Sequence, residues 1–221
     1  DLFDYWLDSA DHVRAGAACF DRLAALRRAG WRVDLLRGNR EMAAGRRLAA
    51  AVGSRLHWPR LDLRLGPRLI RIVHGDRLCD DPAHAFLDVH MRGFWLRTLA
   101  LAMPMSLQTG LARLLRGHSR RRQLRRRRHH AHATPMNEPQ RATDRPIGGP
   151  HASFDPRRVG AAARGADSLV AGHIHACWRR RIAGVDCLLV GEWTATGGSW
   201  VAGHADGQLH QHDWLADSTT R

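Results

Sequence analysis

A short apolar run, Leu169-Val170-Ala171, ends abruptly in Gly172-His173-Ile174-His175. An extended chain sends residues i and i+2 to the same side. Two histidines one residue apart at a strand end can therefore aim both imidazoles at one point. Neutral imidazole is the commonest protein metal ligand, so the pattern asks whether other strand ends supply more ligands. Histidines at this spacing also occur in exposed loops with no such role. The rest of the chain has to decide between the two.

Three more polar residues stand at turns of the same kind. Helical spacing of Val13, Ala17, Phe20, Leu23 and Ala24 predicts a helix over about 10–29, with Gly30 placed to end it. A strand over 31–36 then closes in Gly38-Asn39-Arg40, and a second helix covers about 42–52 before Gly53. Two strands, 61–65 and 69–73, flank a Gly66-Pro67 turn, and the second runs into His74-Gly75-Asp76. Further on come a short helix near 155–164 and two hairpins, turning at Ala183-Gly184 and at Asp206-Gly207. Helices and strands in this alternation predict an α/β fold. Open α/β sheets bind ligands outside the carboxyl ends of their strands. Asp1, Asn39, His74 and the His173/His175 pair are the polar residues expected at such ends. Carboxylate, amide oxygen and imidazole together suit Mn²⁺, Fe²⁺ or Zn²⁺, and a neutral asparagine keeps the site positive toward an anionic substrate.

A chain of 221 residues can build one well-cored domain. No run of about 18 apolar residues is present to form a transmembrane helix. Cys19, Cys79, Cys177 and Cys187 are scattered without a C-x-x-C pair, which predicts reduced, mostly buried thiols and a cytoplasmic protein. All 35 basic residues are arginine, and the formal net charge of +14 calls for an anionic partner or surface. The absence of lysine points to a biased base composition, so the choice of arginine over lysine carries little meaning. Positions 83–128 read as helical with a break at Pro104, and Phe86, Phe94, Trp95, Leu96, Leu99 and Leu101 make the first part apolar. Arg120 to Arg128 holds seven arginines in nine positions. Positions 129–153 lack periodicity and read as a disordered basic insertion, with His129, His130 and His132 belonging to that loop rather than to a metal site.

Taken in order, Asp1-Leu2-Phe3-Asp4-Tyr5-Trp6, Gly38-Asn39-Arg40-Glu41, His74-Gly75-Asp76-Arg77-Leu78-Cys79-Asp80-Asp81 and Gly172-His173-Ile174-His175 resemble the motifs of the calcineurin-like metallophosphoesterases. Phe94-Trp95 and Gly117-His118-Ser119 extend the likeness to the UDP-2,3-diacylglucosamine diphosphatases of lipid A biosynthesis. The resemblance implies an αββα sandwich with a helical cap: a core of 1–82 and 154–221, the cap at 83–128, the insertion at 129–153. It implies two divalent ions, usually Mn²⁺, with Asp1 bridging them, Asn39, His74 and His173 on one, and His175 on the other. The second ion also needs an Asp-x-His motif on a strand expected ahead of Asp1, so its site is incomplete here.

The activity implied is hydrolysis of the pyrophosphate bond of UDP-2,3-diacylglucosamine to UMP and 2,3-diacylglucosamine 1-phosphate, with no catalytic side chain beyond a metal-activated water. Implied substrate contacts are Asn39, Arg40, His173, one of Asp80 and Asp81, and Ser119, Gln123 and Arg126 of the cap. Glu41 departs from the family's usual aspartate, and the cap is unusually rich in arginine. The partners expected are the UDP-linked lipid and the anionic cytoplasmic face of the inner membrane, with no specific nucleic acid. Two other readings remain open: a metallophosphoesterase acting on another nucleotide or phosphodiester, and an inactive homologue that binds anions or membranes.

Overall fold

The computed structural model describes residues 2–3, 6, 8–41, 44–79, 104, 107, 110, 154–174, 177–194 and 197–215. The chain divides into two compact units, one comprising Asp1–Pro59 with Asp81–Thr134 and the other Arg60–Asp80 with Pro135–Arg221. Among the described residues, no helix is long and apolar enough to cross a membrane.

In the first unit, α1 (Ala10–Ala15) and α2 (Ala17–Arg28) replace the single helix expected over 10–29. They divide at Gly16, where a Cβ would stand 2.7 Å from the Phe20 ring. The close approach of that aromatic requires glycine, and glycine is a weak helix former. The strand expected over 31–36 shrinks to β1 (Leu35–Leu36), because its parallel partner β2 (Leu56–His57) offers only two residues to pair with. Trp31 is exposed, and Asp34 is held through its side chain, by Arg32 and by His57 of β2, rather than by strand pairing.

Helix α3 (Arg46–Val52) ends on Gly53 at φ +65°, the left-handed cap that glycine accepts without strain. Its N-terminus is capped from a distance. The buried Asp8 carboxylate accepts hydrogen bonds from the backbone N–H of Arg47 at 3.1 Å and of Leu48 at 2.9 Å. Trp6, Phe20, Ala44, Leu48 and Val52 form the core of this unit.

The second unit is built on a five-stranded mixed sheet. Its strands are β3 (Arg60–Leu65), β4 (Arg68–Val73), β5 (Ser168–Ala171), β6 (Trp178–Ile182) and β7 (Val185–Leu189), in the spatial order β3-β4-β5-β7-β6. The two hairpins are antiparallel, and β5 runs parallel to both β4 and β7. All four residues of β5 are buried, as a strand covered on both faces must be.

On one face, α4 (Pro156–Ala162) packs Val159 with Ala163, Leu169, Ala171, Cys187 and Leu189. On the other, Ile70, Val170 and Leu188 meet Leu209 of a further hairpin, β8 (Gly197–Gly203) and β9 (Leu209–Leu215). One ion pair ties the helix layer to the sheet. Arg71, whose side chain is only 5 % exposed, holds Asp62 through Nε at 2.7 Å and Nη2 at 2.8 Å. Its Nη1 donates to the carbonyls of Ala162 and Arg164, just where α4 ends. The guanidinium fork thus satisfies carbonyls that the helix leaves open.

Candidate metal centre

Parallel pairing of β4 and β5 sets Ile70 beside Ser168 and Ile72 beside Val170, so the two strands reach their carboxyl ends at the same level. The pairing continues one step further, where the Gly172 N–H donates to the His74 carbonyl at 2.9 Å. Side chains leaving these adjacent ends converge. His74 Nε2 and His173 Nδ1 stand 3.2 Å apart, with ring centroids at 5.0 Å and planes at 72°.

The turn that holds them is under backbone strain. His173 has φ +74°, a region side-chain-bearing residues rarely occupy, and Gly75 has φ +111°. A Cβ on Gly75 would lie 2.8 Å from the Gly172 carbonyl oxygen and 3.3 Å from His173 Cβ. Glycine is therefore required for the two loops to close on each other. The buried Cys79 thiol, four residues on, donates to the Gly75 carbonyl at 3.7 Å. Strain of this sort costs on the order of 1–3 kcal/mol and collects at functional sites.

Two nitrogens bound tetrahedrally to one ion at about 2.0–2.1 Å would be about 3.3 Å apart. The observed 3.2 Å is close to that separation. The same spacing suits an N–H···N hydrogen bond between neutral imidazoles. A metal ion would need both facing nitrogens free of protons, so its binding would displace the proton shared in that bond. Among the described residues no group of three or more His, Cys, Asp and Glu converges on one point. Two such imidazoles could supply two ligands to a divalent ion.

Asn39 and Arg40 belong to the first unit, on the loop after β1. Here the structure adds a residue that sequence reasoning treated only as a departure. Glu41 is 2 % exposed, and its carboxylate accepts the Gly38 N–H at 3.0 Å and the Phe3 N–H at 2.9 Å. The Arg40 carbonyl in turn accepts the Trp6 N–H at 2.9 Å. Glu41 therefore fixes the loop that carries Asn39 and Arg40 and pins the N-terminal segment to it. A carboxylate three residues after a loop glycine, within reach of its N–H, was the available signal. Asp1, His175, Asp80, Asp81, Ser119, Gln123 and Arg126 lie outside the described residues.

A protein of Escherichia coli (strain K12) named UDP-2,3-diacylglucosamine hydrolase is 31 % identical over 125 residues, covering 54 % of this chain and 50 % of that protein. A protein of the same name from Aeromonas salmonicida (strain A449) is 32 % identical over 120 residues, covering 54 % of this chain and 47 % of the relative. The chain resembles the UDP-2,3-diacylglucosamine hydrolases. It spans about half the length of the curated relatives it matches. No family model matches.

Proposed function

We propose that the chain is a metal-dependent hydrolase that cleaves the pyrophosphate bond of UDP-2,3-diacylglucosamine, giving UMP and 2,3-diacylglucosamine 1-phosphate. The observation that carries this reading is the His74–His173 pair, presented at 3.2 Å from the ends of two adjacent parallel strands. The likeness to UDP-2,3-diacylglucosamine hydrolases supplies the substrate. His74 and His173 would hold a divalent ion, with Mn²⁺ the choice the resemblance favours. Such an ion supplies Lewis-acid polarisation of phosphoryl oxygen and activation of water. Asp1, Asn39 and His175 enter as further ligands on the resemblance alone.

The turn at Gly172-His173, with His173 at φ +74°, sets the backbone from which the imidazole reaches the ion in this reading. Arg40 neutralises phosphate charge through its guanidinium. Asp80 or Asp81, with Ser119, Gln123 and Arg126, contact the rest of the substrate in this reading. The finer architecture proposed is a metallophosphoesterase sandwich whose helical cap, 83–128, receives the acyl chains. The protein then works peripherally on the cytoplasmic face of the inner membrane, drawn there by its positive charge.

Incubation with UDP-2,3-diacylglucosamine and Mn²⁺ in detergent micelles tests the reading directly. UMP release is expected, with loss in EDTA and in both His74→Ala and His173→Ala. Cleavage of bis(p-nitrophenyl) phosphate without cleavage of the lipid nucleotide would move the substrate elsewhere. Salt-sensitive anion binding with no hydrolysis would leave a binding module.

A further inference from the structure

The β8–β9 hairpin carries a feature the hydrolytic reading leaves unused. Cross-strand pairs Gly198–Trp214, Trp200–His212 and Ala202–His210 alternate with Ser199–Asp213, Val201–Gln211 and Gly203–Leu209. Alternation in a strand puts the two sets on opposite faces. The second set faces the five-stranded sheet, where Leu209 and Val201 pack with Val170 and Leu188. The first set is left outward, and it is aromatic.

Trp193 lies over Gly198 so closely that a Cβ there would be 2.4 Å from the indole. Its ring stands 6.0 Å from Trp214 and 6.2 Å from Trp200, within 24° of parallel to both. Trp200 stacks on His212 at 5.2 Å. Despite this mutual packing the three indoles remain 63 %, 42 % and 41 % exposed for Trp193, Trp200 and Trp214. A contiguous aromatic patch left in water marks an interaction surface.

The chemistry of the patch selects its occupant. The outward pairs carry no carboxylate, and His204 and His210 extend the same face with rings 4.8 Å apart. The hairpin's own carboxylates lie off these pairs: Asp213, on the opposite set, accepts from the Cys177 thiol at 3.2 Å, and Asp206, in the turn, accepts the Gln208 N–H at 2.9 Å. The outward pairs thus set no carboxylate of their own against an anionic surface, Glu192 beside Trp193 being the nearest in sequence, while the chain as a whole carries +14. It also carries no arginine, whereas single-stranded nucleic acid needs a cationic track along its phosphates beside the stacking rings. Indole, apolar in body with one polar N–H, is the side chain that favours the headgroup zone of a bilayer.

We propose that the outward face of β8–β9, centred on Trp193, Trp200 and Trp214, seats the protein on an anionic lipid bilayer. This surface rests on the membrane association proposed above.

Flotation with phosphatidylglycerol/phosphatidylcholine vesicles at physiological salt, in the absence of substrate, tests it. Wild-type protein is expected to float with the anionic vesicles and far less with pure phosphatidylcholine. The Trp200→Ser/Trp214→Ser double variant should bind at least about tenfold more weakly, because two half-exposed indoles no longer enter the interface. Brominated lipids added to unaltered protein should quench tryptophan emission, a readout that needs no variant to fold. Equal binding by the double variant, folded by circular dichroism, or absence of quenching in bound protein would overturn the assignment of this face. Tighter binding to oligo-dT than to vesicles, lost in the same variant, would overturn the lipid as its occupant. Failure of wild-type protein to float at all would remove both this proposal and the membrane association. Lipid-nucleotide hydrolysis in detergent, which the double variant should retain, reports on the catalytic reading independently.

Discussion

Gly75→Ala should damage the candidate centre without touching either imidazole. At φ +111°, an alanine would sit outside even the small left-handed well, where an L side chain costs roughly 1–2 kcal/mol. Its methyl would also press to 2.8 Å from the Gly172 carbonyl oxygen, which belongs to the backbone and cannot swing aside like a side-chain tip. Overpacking of that kind costs about 1–3 kcal/mol. The two terms together predict a destabilisation of about 2–5 kcal/mol, or a loss of about 1–2.5 M in urea midpoint at a slope of about 2 kcal/mol/M.

Relief of the contact requires Gly172-His173 to move away from His74, which opens the 3.2 Å spacing between their nitrogens. Zn²⁺ or Mn²⁺ titrated calorimetrically into folded protein should therefore bind more weakly to Gly75→Ala, by about tenfold or more if one ligand is lost. Urea unfolding and metal titration are to be run on the same preparation. A variant that kept both its midpoint and its metal affinity would refute the claim that this contact sets the geometry of the pair.

His173 itself should show a trade between stability and function. His173→Gly relieves φ +74° and is expected to be about 1 kcal/mol more stable than His173→Ala in thermal unfolding, while both lose metal binding. Arg71→Met leaves Asp62 without its guanidinium and the end of α4 without a donor, with an expected loss of about 3 kcal/mol or more by urea unfolding. The Arg71 hydrogen bond holds the Asp62 carboxyl below its ordinary pKa. The stability it contributes is therefore present above about pH 4 and lost as pH falls through the depressed folded value. Acid titration of unfolding should show this loss in the wild type and a smaller one in Arg71→Met. Burial pushes His12 below the ordinary histidine pKa, so the unfolded chain takes up its proton first. Stability of the first unit should fall as pH drops from about 7 through 6.5 and below, and His12→Gln should flatten that slope in a chemical-denaturation series.

Much of the local structure is written in short-range chemistry. Gly53 and Gly30 end helices as their backbone freedom allows, and Gly66-Pro67, Ala183-Gly184 and Asp206-Gly207 each turn a hairpin where they were expected to. The placing of His74 and His173 after apolar runs was also legible, because strand ends are marked by composition alone. Less was legible where the deciding partner is distant in sequence. The strand expected over 31–36 is cut to two residues by the brevity of β2, and the helix expected over 10–29 divides because Phe20 closes on Gly16. Asp8 capping a helix begun at Arg46, and Glu41 pinning Phe3, are likewise contacts between residues nearly forty positions apart.

The histidine pair draws the same line. Composition and spacing determined that imidazoles would stand at the ends of buried strands, since a polar residue after an apolar run has nowhere else to go. The choice of neighbour came from the tertiary structure. The nitrogen that meets His173 belongs to His74, ninety-nine positions away. Parallel pairing of β4 with β5 brings them level, and the glycine at position 75 lets their loops touch. Strand pairing is a long-range property of backbone hydrogen bonds, and no local pattern of side chains encodes which two ends will meet.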